Sequence, residues 1–173
     1  MTLRAKILTV SDSVTRGDRV DTAGPALAGR LAHAGYEVVA ERVVPDGVES
    51  VADAIRELTA GFAGLVVTTG GTGFAPRDLT PEATASVIER EAPGFAELMR
   101  ATSPFGALSR ARCGTLGACL VLNTPGSPTG ALECLDAVLP VLEHALSLLA
   151  GRDDAHPPET GGTTAISSDG PTA

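Results

Sequence analysis

The amino-acid sequence predicts a single α/β domain of three layers (α/β/α), in which a mainly parallel sheet lies between helices on both faces. Apolar runs of strand length alternate with helical patterns along the chain, which is the order that parallel strand-helix-strand units require. The run Ala118–Leu122 is entirely apolar, as expected of a strand covered on both faces. With 173 residues, 43% of them apolar, the chain can bury one sizeable core and is too short to suggest two.

The first half of the chain begins with a strand over Lys6–Val10, followed by a polar loop over Ser11–Val20. The next helix has Gly24 as its N-cap and ends at Gly35. A second strand, Tyr36–Val44, then stops at a Pro-Asp-Gly sequence. These elements form the first strand-helix-strand unit.

The middle of the chain repeats this order. Apolar residues fall on one helical face over Val48–Leu58, and the third strand is Leu65–Thr69. Thr80 is predicted to cap the following helix, whose first position is Pro81. The segment Gly94–Arg112 mixes a helical pattern with loop signals.

The last helical pattern, Leu132–Leu149, is the clearest in the chain. Pro140 lies within it, so we expect a kink or a late helix start at that point. We assign residues 1–150 to the folded domain. The segment 151–173 is rich in Gly, Pro, Ser, Thr and Asp, and we predict a disordered tail.

Charge and composition exclude several classes of function. The formal net charge of -8 and the single lysine, Lys6, argue against a surface that grips nucleic acid. No apolar run approaches the ~20 residues that span a bilayer. The three cysteines, Cys113, Cys119 and Cys134, lack paired spacing and are predicted to be free, mostly buried thiols. We therefore expect a cytoplasmic protein that binds neither nucleic acid nor membrane.

Polar turns follow each of the four predicted strands, with the sequences SDS, PDG, TTGGTG and NTPGSP. In parallel sheets ligands bind beyond the carboxyl ends of the strands. The sequence therefore predicts one composite site built from these turns.

The glycine turn, Gly70–Gly73, offers main-chain N–H groups with few side chains around them, which is typical of a phosphate or carboxylate cradle. It is not a P-loop, because no Gly-Lys-Ser/Thr follows, and it lacks the third glycine of a dinucleotide fingerprint. From these residues alone a purely structural turn is an equal alternative.

Asp46 and Asp78 each lie a few residues beyond a predicted strand end. Together they could hold a hydrated Mg²⁺ against polyphosphate oxygens. The alternative is structural: Asp46 caps the helix that begins near Gly47, and Asp78 pairs with Arg77 or caps near Thr80.

Several motifs together resemble the molybdopterin-binding Mog/MoaB family. They are LTVSDS…GDRVDTAGP, VVPDG, GGTGFAPRDLTPEAT, REAPGFAELMR, LSRARCG and NTPGSP. The resemblance covers roughly Arg4 to Ala150 and is strongest to the molybdopterin adenylyltransferases, which include the N-terminal domain of gephyrin. It implies Mg²⁺-dependent transfer of AMP from ATP to the terminal phosphate of molybdopterin, with release of pyrophosphate.

The resemblance also implies roles for individual residues. Asp46 and Asp78 correspond to the two essential carboxylates, which would be catalytic and would bind the metal. The remaining pocket for molybdopterin and nucleotide would be lined by Asp12, Ser13, Asp21, Thr69, Gly70, Gly71, Thr72, Gly73, Arg77, Ser109, Pro125, Gly126 and Ser127. Arg77 or Arg110 would offset phosphate charge. Relatives of this kind form homotrimers and pass their product to a molybdate-inserting enzyme, so we expect both properties here.

Two rival functions stay open at this point. The first is a noncatalytic molybdopterin-binding scaffold of the same fold, against which the retention of Asp46 and Asp78 argues. The second is a nucleotide pyrophosphatase like the N-terminal domain of the competence-damage proteins, whose turn fits GGTGFAPRD less well. The chain also departs from the family at Thr124, where an apolar residue is usual.

Overall fold

The structure is a computed structural model that describes residues 2–151. The predicted tail therefore lies outside the described residues, apart from Gly151. The described part contains one sheet of six strands in the order β2-β1-β3-β6-β5-β4. The strands are β1 (Leu3–Val10), β2 (Tyr36–Val44), β3 (Gly64–Thr69), β4 (Arg90–Glu91), β5 (Cys113–Leu116) and β6 (Cys119–Thr124).

Six α-helices cover this sheet within the described residues. They are α1 (Asp12–Thr15), α2 (Ala23–His33), α3 (Val48–Thr59), α4 (Thr80–Ala85), α5 (Pro93–Arg100) and α6 (Pro128–Leu149). A short 3₁₀ helix, Pro104–Leu108, follows α5.

The core is divided by the sheet into two clusters, because neighbouring strand residues point to opposite faces. On β1, Ile7 belongs to the cluster that includes residues of α2, α5 and α6, whereas Leu8 belongs to the cluster that includes residues of α3 and α4. All six residues of β3 and all six of β6 are buried, which is the signature of central strands covered on both sides. The predicted three-layer α/β/α architecture is confirmed.

The sheet is mainly parallel, as predicted. Strands β2, β1, β3 and β6 run parallel. Beyond β6, β5 pairs antiparallel with β6, and β4 pairs antiparallel with β5. The sequence analysis missed β4 and β5. They have two and four residues, too few for a period-2 pattern to emerge.

The structure differs from the local predictions for the loop after β1, the start of α2 and the start of α6. The polar loop after β1 contains the helical turn α1, whose N-cap Ser11 accepts a hydrogen bond from Val14 N–H. Helix α2 has Thr22, not Gly24, at its N-cap position. Helix α6 begins at Pro128 and continues through Pro140, with no late start. Pro140 lies on the exposed face of the helix, and buried leucines on the other face stabilise the helix.

Candidate active site

The turns after β1, β2, β3 and β6 meet at one edge of the sheet, because these four strands are parallel neighbours. Gly70 has φ +103°, and a Cβ atom there would lie 2.2 Å from the main-chain oxygen of Val10. A Cβ atom on Gly126 would lie 3.3 Å from Gly70 Cα. Gly70 therefore admits no side chain where the first and third turns touch, and a side chain on Gly126 in the last turn would require a small shift of the main chain at Gly70.

Thr80 holds the first half of the glycine turn. Its hydroxyl donates to Gly70 O at 2.9 Å, and its N–H donates to Gly71 O at 3.0 Å. It is the first residue of α4 and not the predicted N-cap, a position that Leu79 occupies without a side-chain hydrogen bond. The side chain is fully buried, so it stabilises the turn from below.

Arg110 holds the second half. Its N–H donates to Thr72 O at 2.9 Å, and its Nε donates to Gly73 O at 2.7 Å. The four carbonyl groups of the glycine turn are therefore all directed at protein donors.

Beyond Gly70, the N–H groups of the turn, unlike its carbonyl groups, lack hydrogen-bond partners among the described residues. Within residues 2–151, the N–H groups of Gly71, Thr72, Gly73 and Phe74 donate to no protein oxygen. In a planar trans peptide the N–H points away from the C=O of the same unit. With the carbonyls fixed on Thr80 and Arg110, successive N–H groups are left available to an anion.

The Asp46 and Asp78 carboxylates border this turn. A Cβ atom on Gly71 would lie 3.1 Å from Asp46 Oδ1, and one on Gly73 would lie 2.8 Å from Asp78 Oδ2. A larger residue at Gly73 would displace the Asp78 carboxylate, and one at Gly71 would clash with the Thr80 hydroxyl, 2.4 Å away, and crowd Asp46. The structure therefore brings both acidic residues to the same turn, although they are far apart in sequence.

Each of these carboxylates has one oxygen engaged and one unpaired. Asp46 Oδ2 accepts the N–H of Asp12 at 2.8 Å, and Asp78 Oδ2 accepts the N–H of Ala75 at 2.9 Å. Among the described residues, Asp46 Oδ1 and Asp78 Oδ1 accept no hydrogen bond. Neither carboxylate caps the helix for which it was alternatively considered, since Gly47 and Leu79 are the N-cap residues there.

Asp12 forms a reciprocal clasp with Asp46. The Asp46 N–H donates to Asp12 Oδ1 at 3.1 Å, in return for the bond from Asp12 N–H to Asp46. Arg77 binds both Asp12 oxygens, at 2.5 and 2.9 Å, and also donates to the main-chain oxygen of Asp46. Arg77 thus pairs with Asp12 and not with Asp78. These contacts tie together the turns after β1, β2 and β3.

The clasp separates the pKa values of its two carboxyl groups. The hydrogen bond from Arg77 lowers the pKa of Asp12, against the opposing effect of burial. Burial raises the pKa of Asp46; the N–H of Asp12 opposes this, and the charges of Asp12 and Asp78 add to it. The negative charge of Asp12 is therefore already paired with Arg77, whereas the charge of Asp46 would be stabilised by a bound cation.

A cavity of about 370 Å³ opens beside the glycine turn, between α5, the 3₁₀ helix and the start of α6. Three of the predicted pocket residues line it, namely Ser109, Pro125 and Ser127. Ser127 also caps α6 by accepting the N–H of Gly130, and the N–H groups of Gly126 and Ser127 donate to no oxygen in the described chain. Sequence reasoning did not find this cavity, because α5 and α6 meet only through tertiary packing.

Other predicted pocket residues lie near the start of α2 and the end of β3. Asp21, Thr69 and Gly126 line a small cavity of about 50 Å³. Both Asp21 oxygens are engaged, one by the Thr9 hydroxyl and one by the N–H of Gly24. The Ser13 hydroxyl lies 3.1 Å from that of Ser11. Asp21 therefore fixes the start of α2, which its sequence position had not indicated.

A buried polar layer supports the site from below. Asn123 donates to the hydroxyls of Thr68 and Thr84, and its Oδ1 accepts the N–H of Arg112. The Thr124 hydroxyl donates to Thr68 O at 2.9 Å, so the polar residue at this unusual position is satisfied. These bonds join β3, β6 and α4 under the glycine turn.

Comparison with known proteins identifies the family of this chain. A family model described as a probable molybdopterin binding domain matches residues 6–144. The chain belongs to this family of molybdenum cofactor biosynthesis proteins. A relative named molybdopterin adenylyltransferase, from Helicobacter pylori (strain J99), is 38% identical over 161 residues, which is 87% of this chain and 89% of that protein.

Longer proteins contain the same unit. The Drosophila melanogaster molybdenum cofactor synthesis protein cinnamon is 36% identical over 150 residues, and the match spans 83% of this chain but 25% of that protein.

Among solved structures, the molybdopterin biosynthesis enzyme MoaB from Thermus thermophilus is 50% identical, with a TM-score of 0.81 over 86% of this chain and 97% of its own. The family fold therefore extends over the whole described core.

No group of three or more His, Cys, Asp or Glu side chains within residues 2–151 could enclose a metal ion alone. A search of the same residues finds no helix long and apolar enough to cross a membrane.

The thiols of Cys113 and Cys119 are buried and free, and Cys134 is half-buried and free, as predicted. Burial raises the pKa of Cys113 to about 12.

Proposed function

We propose that this chain is a cytoplasmic molybdopterin adenylyltransferase, which transfers AMP from ATP to the terminal phosphate of molybdopterin and releases pyrophosphate. The observation that carries the proposal is the meeting of two carboxylates, each with an unpaired oxygen, and four unpaired N–H groups at one turn. The family and the name of the Helicobacter pylori relative support the identity of the substrates.

The residues fit a magnesium ion that is shared with substrate. Mg²⁺ is usually bound by one or two carboxylates together with substrate phosphates and water, so a cluster of three side chains is not required. Asp46 Oδ1 and Asp78 Oδ1 would supply the two protein oxygens. When bound, Mg²⁺ neutralises charge on the phosphate oxygens of ATP and makes the pyrophosphate a better leaving group.

The protein's own groups would contribute by positioning the two substrates and by offsetting the negative charge of their phosphates. The molybdopterin phosphate is ionised near pH 7, so its oxygen can attack the α-phosphorus without a general base. A new P–O bond forms as the bond to the pyrophosphate oxygen breaks. The N–H groups of Gly71, Thr72 and Gly73 would hold phosphate oxygens, and their fixed peptide planes avoid reorganisation during the reaction.

The cavity of about 370 Å³ offers room for the bulkier part of a substrate beside the phosphate site. Its lining includes Ser109, which precedes the Arg110 N–H bound to Thr72 O, and Pro125, which precedes Gly126 beside Gly70.

The variant Asp78→Asn tests the proposal. It keeps the size of the side chain and can still accept the N–H of Ala75, but it removes the charge that the metal needs. We expect AMP transfer to fall by roughly 10³-fold or more, as for loss of a principal electrostatic group, with folding and molybdopterin binding retained. Pyrophosphate release from ATP and molybdopterin measures the effect.

Asp53→Asn is the matched control, because Asp53 is an exposed carboxylate on α3, paired with Arg56. It should turn over like the parent. Equal turnover by Asp78→Asn and the parent would contradict the assigned role. Binding of molybdopterin by a parent that transfers no AMP would favour the scaffold alternative, and hydrolysis of ADP-ribose without pterin would favour the pyrophosphatase.

A further inference from the structure

Arg110 lies 32 residues beyond Asp78 in sequence, yet it contacts both ends of the turn segment. Its N–H and Nε donate to Thr72 O and Gly73 O, as described above. Its Nη2 donates to the main-chain oxygen of Asp78, and its Nη1 donates to the Glu82 carboxylate. All three guanidinium nitrogens are thus held on protein oxygens, and the side chain is only 32% exposed.

These contacts decide which way the peptide units face. The carbonyls of Thr72 and Gly73 point at Arg110, so the N–H groups of Gly73 and Phe74 in the same planes point to the other side. Glycine has no intrinsic preference that would hold such an arrangement. An external set of donors is needed, and Arg110 supplies it.

We propose that Arg110 is a positioning residue, whose side chain locks the peptide plane between Gly73 and Phe74 and the main chain of Asp78 so that both face the substrate phosphates. The inference rests on the proposed function, because it assumes that the turn binds phosphate. Arg110 acts through the turn and does not itself bind the phosphate.

The planar fork of arginine is essential to this role. It reaches Gly73, Asp78 and Glu82 at once with three nitrogens in fixed geometry. A lysine would keep the positive charge, but its single ammonium group cannot occupy three separate sites. The pair Arg110→Lys and Arg110→Gln therefore distinguishes geometry from charge.

Arg112→Gln is the matched control. Arg112 is two residues away and forms an ion pair with Glu91 in which both side chains are about half exposed, at 47% and 57%. Its charge is removed without touching the turn. Its N–H, which binds Asn123, is kept in the variant.

The test uses the full chain with Mg²⁺ and inorganic pyrophosphate as the probe, by calorimetry, together with amide NMR spectra of the glycine turn. We expect both Arg110 variants to lose roughly tenfold or more in pyrophosphate affinity, a change of about 1.4 kcal/mol. The amide signal of Phe74, whose N–H shares a peptide plane with Gly73 O, should shift in both, whereas the main-chain N–H of Arg110 that binds Thr72 O is kept in both variants. Arg112→Gln should bind like the parent.

Parent-like affinity of Arg110→Lys would overturn the proposal, since charge alone would then suffice. So would an unchanged Phe74 amide signal in Arg110→Lys, a parent that binds no pyrophosphate, or an equal loss in Arg112→Gln. Arg110→Lys retains the charge that Glu82 needs and carries the test if Arg110→Gln does not fold.

An AMP-transfer assay on the same samples separates this inference from the proposed function. Suppose that the parent binds pyrophosphate but transfers no AMP, and that both Arg110 variants lose pyrophosphate binding: the adenylyltransferase proposal is then contradicted and the positioning role of Arg110 is upheld. If the parent transfers AMP and Arg110→Lys binds pyrophosphate normally, the adenylyltransferase proposal is upheld and the positioning role is contradicted.

Discussion

Asp46 is a half-buried carboxylate that interacts with the negative charges of Asp12 and Asp78. Burial is the first cause of its raised pKa, so the folded chain binds a proton there more tightly than the unfolded chain does. Such a group favours folding below its ordinary pKa of about 3.9, and that contribution is lost as the pH rises through the folded value. At neutral pH the ionised carboxylate therefore destabilises the fold.

The variant Asp46→Asn is predicted to raise Tm at pH 7, because it removes the buried charge and can still accept the N–H of Asp12. The gain should shrink as the pH is lowered toward 4, where the parent becomes protonated. Calorimetry at both pH values measures this. Asp53→Asn should change Tm little at either pH, since exposed pairs contribute about 0–1 kcal/mol. A lower Tm of Asp46→Asn at pH 7 would show that its carboxylate is stabilising.

Some of the site was predictable residue by residue, and some was not. Asp46, Asp78 and the glycine turn were found because carboxylates and glycines follow strands whose carboxyl ends must meet. The pairing of Arg77 with Asp12 was not found, since it joins residues 65 positions apart through loop geometry. The same holds for the Asp21 carboxylate, which binds Thr9 and the start of α2.

At the scale of secondary structure, α6 shows how packing overrides a local signal. Pro140 lacks the N–H that would bond one turn back, and its ring disfavours the helix. Burial of Leu135, Val138 and Leu142 on the opposite face keeps the helix continuous. The late start suggested by the proline was wrong for this reason. The antiparallel strands β4 and β5 were missed because they are short.

Pro140→Ala is predicted to stabilise the protein by about 1–3 kcal/mol, since proline is ~3 kcal/mol less favourable than alanine within a helix. The site is exposed, so no cavity is created. Urea unfolding measures the change. Pro128→Ala is the control in the same helix, because proline is favoured at the first position, and it should give no gain. Equal stability of Pro140→Ala and the parent would show that neighbouring contacts already compensate for the proline.

At the scale of the whole molecule, the formal charge of -8 contrasts with the anionic substrates that we propose. Attraction must therefore come from local groups, namely the N–H groups of the turn and a bound cation. Net charge predicts the exclusion of nucleic acid as a partner but gives no information on this site. The family fold and the location of the site were predictable from motif order, whereas the cavity beside α5 depends on tertiary packing.

We predict a homotrimer in solution, an expectation that comes from the resemblance to the Mog/MoaB family. Size-exclusion chromatography with light scattering should give a mass about three times the 17.4 kDa of one chain. A mass equal to one chain across micromolar concentrations would contradict this prediction. Transfer of the product to a molybdate-inserting enzyme is a separate expectation of the same resemblance.

The central claim is that Asp46 and Asp78 share one divalent cation with a triphosphate held by the glycine turn. A crystal structure with Mg²⁺ and a nonhydrolysable ATP analogue tests it most directly. We predict a metal bound to Asp46 Oδ1 and Asp78 Oδ1, with phosphate oxygens about 3 Å from the N–H groups of the turn. A triphosphate bound away from the turn, or a metal that touches neither carboxylate, would contradict it.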